Sequence, residues 1–123
     1  MKLTLEGPSN LNLIRSYSAD EIRIGEHHIR SSCIVTADTL IASWPPASIE
    51  EVQVNHLETI IELRPELVLF GTGARQRFAP ARIRAALAER GIGAEAMDLG
   101  AACRTFNILV QEERRVAAAL FLL

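Results

Sequence analysis

At 123 residues the chain suits one domain, 1–123, built around a single hydrophobic core. A hydrophobic fraction of 49% with 23% charged residues is the balance of a folded globular protein and argues against disorder. The formal net charge of -2, from 13 basic and 15 acidic residues, supplies no global field toward nucleic acid or acidic lipid, so neither is an expected partner.

The opening Met1-Lys2-Leu3-Thr4-Leu5-Glu6-Gly7 reaches an acid before any long apolar core, which argues against a secretory leader. No stretch approaches the roughly 20 apolar residues needed to cross a bilayer, and Val116 to Leu123 is only strand-length. Stable membrane insertion is therefore not expected, and the chain reads as cytoplasmic. Cys33 and Cys103 share no metal-ligand spacing with further partners, so they read as two buried, inert thiols rather than a disulfide or a metal site.

The first third predicts β structure. Leu11 and Leu13, then Arg15 and Tyr17, alternate with polar neighbours. Ile22-Arg23-Ile24 repeats the pattern before a turn at Gly25-Glu26, and Ile29, Cys33-Ile34-Val35 and Leu40-Ile41-Ala42 continue it. Short strands joined by tight polar turns make an antiparallel meander, which Trp44-Pro45-Pro46 ends because proline donates no ladder hydrogen bond. After a connector, Asn55 with Glu58 three residues on reads as an N-cap in capping-box register. Leu57, Ile60 and Ile61 share one helical face, and Pro65 closes that helix.

Leu67-Val68-Leu69-Phe70 is a short continuous apolar run, the mark of a strand buried on both faces. The loop Gly71 to Ala79 leads to a helix opened by Pro80, striped by Ile83, Ala86 and Leu87, and stopped by Gly91 in the left-handed position. A strand at Ala94 to Met97 reaches Asp98. A third helix then carries Ala102, Phe106, Leu109 and Val110 inward, and Val116 to Leu122 closes the sheet. Three helix–strand repeats imply right-handed parallel crossovers. The fold class is thus mixed α/β, a meander joined to a βαβαβ parallel unit.

Ligands in such sheets bind beyond the carboxyl ends of parallel strands. That places Gly71, Thr72 and Gly73 after one strand and Asp98 after the next, with Arg75 and Arg77 in the same loop. Glycines allow close backbone approach, and a following helix N-terminus favours an anion. Two readings stand here: a tight βα turn with solvated arginines, or a site for phosphate or carboxylate. The sequence matches neither known phosphate fingerprint, because Gln76 stands where a dinucleotide motif wants glycine and no Gly-Lys-Ser/Thr follows.

Asn107 sits beside the core stripe, where it either bonds nearby backbone or reaches a ligand. His27 and His28 are strand neighbours that point to opposite faces and so cannot readily share a metal. No acid, base and nucleophile converge, so no catalytic residues, metal or cofactor are assigned. Two aromatic residues mark candidate interaction surfaces. Phe78 has no periodic partner in its loop, and Trp44 beside its prolines either presents part of its ring or lids the meander.

Taken together, Ile22-Arg23-Ile24-Gly25, Trp44-Pro45, Leu69-Phe70-Gly71-Thr72-Gly73, Gly91-Ile92, Ala102 to Leu109 and Arg115 to Leu120 resemble the small Mth-type domain family. That family includes a mitochondrial respiratory complex I assembly factor and an adipogenesis-associated protein. The resemblance spans nearly the whole chain, and the order and spacing of the motifs make it specific. It implies a three-layer β plus β/α domain without an established reaction. It also implies a role in assembly through protein contacts, which would make a protein the expected partner. A ligand-binding protein or enzyme using Gly71 to Gly73 is the competing reading.

Overall fold

The structure, a computed structural model, describes residues 11–123; the opening stretch Met1 to Gly7 and its Lys2 lie outside them. Eight strands form two sheets among the described residues. Strands β1 (Ile14–Tyr17), β2 (Ile22–Ile24) and β3 (His27–Ile29) make a three-stranded antiparallel sheet. The second sheet has five strands: β4 (Cys33–Val35), β5 (Leu40–Ile41), β6 (Leu67–Gly71), β7 (Gly93–Met97) and β8 (Val116–Leu120). Their order is β5-β4-β8-β6-β7.

The βαβαβ unit is present as expected: β6 lies parallel to both β7 and β8. The expected single meander divides instead. Its second half, the β4–β5 hairpin, leaves the first three strands and pairs antiparallel with β8, Cys33 opposite Leu120 and Val35 opposite Ala118. Apolar alternation is a local signal and carries nothing about a partner strand far along the chain.

Continuous apolar runs are explained by what lies on each side. Leu69, Val116, Ala118 and Leu120 face one core, and Val68, Phe70, Ala117 and Ala119 face the other. The first core is closed by α3 (Leu99–Gln111) with the small sheet beside it, through Ile14, Ile22, Ile24 and Ile29. The second is closed by α1 (Leu57–Glu62), α2 (Ala81–Ala88) and two 3-10 turns at Ile49–Glu51 and Val54–His56. The result is three layers, with the five-stranded sheet central.

Two local expectations shift. In β1 the buried residue is Ile14, while Arg15 and Tyr17 are exposed. A β-bulge between Ile14 and Ser16 breaks the alternation that Leu11 and Leu13 begin. Asn55 does not cap α1. It lies within the 3-10 turn that precedes the helix; that turn is capped by Gln53, whose N–H donates to His56 Nδ1 at 2.8 Å, and His56 stands at the N-cap of α1. At Gly71 the sheet and α3 meet closely. A Cβ there would stand 2.9 Å from both Ala102 Cβ and Leu120 Cδ2, so only glycine lets the helix seat.

Candidate functional site

The carboxyl ends of β6, β7 and β8 come together where Gly71 lies opposite Met97 on one side and Leu120 on the other. Gly71, Thr72, Gly73, Arg75 and Asp98 gather at this end. Asn107 does not: nine residues into α3, it lies about 13 Å further along the helix axis at the usual rise.

The geometry of the loop is set by internal hydrogen bonds. The Thr72 N–H donates to Met97 O at 2.8 Å, and the Leu99 N–H donates to Gly73 O at 2.8 Å. Gly73 stands at φ 92°, a backbone conformation that a side chain would strain. The Thr72 hydroxyl is a donor within reach of Arg75 O at 2.6 Å and Met97 O at 3.1 Å, and it accepts the Arg77 N–H at 3.0 Å. Gly71, Thr72 and Gly73 are all buried. Their polar groups hold the loop against the sheet.

Asp98 is the N-cap of α3. Its Oδ1 accepts the Ala101 N–H at 2.8 Å, satisfying one of the orphan donors that an incoming anion would otherwise use. Asn107 acts as a strap: Nδ2 donates to Ile14 O and Oδ1 accepts the Ile14 N–H, each at 2.9 Å. The amide thus gives β1 the pair of bonds that another strand would offer.

What remains on the surface is arginine and one aromatic ring. Arg75 is exposed beside a depression of 390 Å³, whose walls include Ser48, Glu50, Gly73, Arg77 and Leu122. Arg77 pairs with Glu50 at 3.0 Å. That carboxyl is held below its usual range by its own backbone N–H and by Arg77. Phe78 is 78% exposed. It borders a second groove, of 170 Å³, with Phe70, Ala79, Arg84, Ala94 and Ala96. Alternation and spacing gave no sign of this groove, because its parts come from a loop, a helix and the edge strand β7.

Trp44 offers no such surface. It is 3% exposed, its Nε1 donates to His56 O at 3.3 Å, and its ring centroid lies 5.7 Å from that of Phe121. The prolines beside it turn the chain so that the indole lids the second core, and Ile29 is likewise buried.

A third cavity, of 420 Å³, lies at the opposite end of the sheet among Leu11, Ala37, Leu63, Pro65, Val110 and Val116. His27 and His28 are exposed, and His28 Nδ1 sits 2.9 Å from Glu21 Oε2. No group of three or more His, Cys, Asp or Glu is placed to hold a metal among the described residues. Cys33 and Cys103 are free and buried, and burial pushes both thiols up to about 12. At neutral pH they are protonated and poor nucleophiles. No helix among the described residues is long and apolar enough to cross a membrane.

Comparison with known proteins is consistent with this picture. The chain is 34% identical over 110 residues to NADH dehydrogenase [ubiquinone] 1 alpha subcomplex assembly factor 3 of Danio rerio. The match covers 88% of this chain and 63% of that protein, so the chain spans less than two thirds of the relative's length. A crystal structure of a Bordetella parapertussis protein superposes with a TM-score of 0.85 at 33% identity, covering 94% of this chain and 98% of that one. A solution structure from Bordetella pertussis, described as a Mth938-like domain, has a TM-score of 0.81 at 29% identity, with coverages of 98% and 92%. The family model described as protein of unknown function (DUF498/DUF598) matches residues 14–121. The chain therefore belongs to the DUF498/DUF598 family and carries its Mth938-like fold.

Proposed function

We propose that this chain is a non-catalytic interaction protein that helps assemble a larger complex, with a respiratory complex of the complex I type as the leading candidate. The observation that carries this reading is Phe78, an aromatic ring 78% exposed on a loop whose backbone is otherwise tightly bonded. Large exposed aromatics on a rigid support are the usual anchors of protein interfaces. Arg84 lines the same groove as the ring and supplies a positive rim for acidic residues of a client. The similarity to a complex I assembly factor supports the same reading. Two thiols kept free and buried fit a reducing compartment, and we place the protein in the cytoplasm.

Phe78→Ala tests it. In a pull-down from the native host scored for membrane respiratory subunits, the variant should bind its client more weakly by over roughly 1 kcal/mol. Its melting temperature should match wild type, because an exposed ring contributes within about 0.5 kcal/mol to stability. Unchanged capture by the variant would refute this surface.

Arg75 favours a second reading, an anion site at the 390 Å³ depression. Phosphate or sulfate should then raise the melting temperature by mass action, and Arg75→Ala should abolish the rise without altering the ligand-free value. Equal stabilisation of both proteins would mark a nonspecific salt effect.

A further inference from the structure

We infer that the free edge of β7 is a strand-docking site for an extended, acidic segment of a partner protein. This rests on the interaction reading above and names its chemistry. Among the described residues, strand β7 ends the five-stranded sheet and pairs only with β6. Backbone groups along a strand point alternately to its two sides. The Gly93 N–H donates to Glu66 O at 3.0 Å and Met97 O accepts from Thr72 N–H at 2.8 Å, so these two residues face β6. Ala94 and Ala96 therefore turn their N–H and C=O groups outward. Such a row is a template for another strand. Gln76 lies over part of it, its Nε2 donating to Ala96 O across a long 3.4 Å. An incoming N–H would displace that contact at small cost.

The groove beside this edge supplies side-chain recognition. Phe70, Phe78, Ala79, Ala94 and Ala96 line 170 Å³, room for one apolar side chain of a paired strand. Charge selects the partner. Arg84 Nε donates to Ala79 O and Arg82 donates to Val52 O, each at 3.2 Å. A carbonyl partner leaves the positive charge of Arg84, which lines the groove, uncompensated. Glu95 is the one acid lining the groove. An acidic strand meets the opposite charge.

The test uses the full chain and a short synthetic strand-forming peptide with a central isoleucine flanked by glutamates. Its control carries lysines in place of the glutamates. By NMR, the acidic peptide should protect the amides of Ala94 and Ala96 from exchange, and the lysine peptide should not. Ala94→Pro removes an outward N–H where a sheet edge tolerates proline. It should weaken binding about tenfold, as expected for losing a hydrogen bond of about 1 kcal/mol or slightly more. Arg84→Glu, on an exposed helical position, should reverse the preference between the two peptides. Full-strength binding to Ala94→Pro, protection elsewhere on the molecule, or no binding of the acidic peptide would overturn the proposal. Protection of Ala94 and Ala96 that grows with protein concentration alone would assign the edge to a second copy instead and overturn it too. A client whose capture is weakened by Phe78→Ala but not by Ala94→Pro would overturn strand pairing and leave the interaction reading standing.

Discussion

Leu69→Asp should leave a chain with no cooperative thermal transition. Leu69 is 1% exposed in the middle of β6, with Glu95 on one side and Ala118 on the other, and its side chain enters the core beneath α3. An unpaired carboxylate placed there loses its water and gains no partner. That penalty, added to the lost packing of Leu69, is comparable to the roughly 5–15 kcal/mol by which a domain of this kind is stable. Leu69→Ala is the matching control: a cavity there costs about 2–5 kcal/mol, which lowers the melting temperature but keeps the transition. Circular dichroism melts distinguish the two. A folded, cooperatively melting Leu69→Asp protein would mean that β6 is not the central strand.

The second large effect belongs to Asn107. Asn107→Ala removes both bonds to Ile14 and strands the N–H and C=O of that residue in a half-buried position. Two hydrogen bonds and their unsatisfied partners amount to about 2–3 kcal/mol. For a domain of this size that is a fall of about 10 °C in melting temperature. Asn107→Asp keeps the acceptor but loses the donor and sets a carboxylate against Ile14 O, so it should fall nearly as far. A ligand-binding asparagine would behave otherwise, leaving the ligand-free stability unchanged when truncated. That result would make Asn107 a ligand-binding residue.

These two residues mark where the sequence is and is not informative. Leu69 lies in a short apolar run with turn residues on both sides, which reads as a doubly covered strand, and Val116 to Leu120 is likewise a continuous apolar run. Gly91, at φ 73°, ends its helix as its residue type requires. Asn107 and Asp98 were ambiguous because short polar side chains serve backbone as readily as ligands. Only the fold reveals that Ile14 and the Ala101 N–H are waiting for them. Arg75 and Phe78 were legible as loop residues, but the edge of β7 that adjoins them was not. Which strand ends a sheet depends on pairings between distant segments. The division of the meander has the same origin: nothing near Cys33 announces a partner at Leu120.

The placement of β8 has a consequence for how the protein is made. It lies between β4 and β6, bridging the two halves of the five-stranded sheet, yet it is the last of these five strands in sequence. During synthesis, β4 and β6 emerge first with the slot between them vacant. Both present open ladders, and the alanines that will separate the two cores have not yet been added. Neither core can close until residue 120 clears the ribosome. The domain must therefore finish in one late, long-range step instead of consolidating as it is translated. In that interval the nascent chain is at its most vulnerable to pairing with the wrong strand.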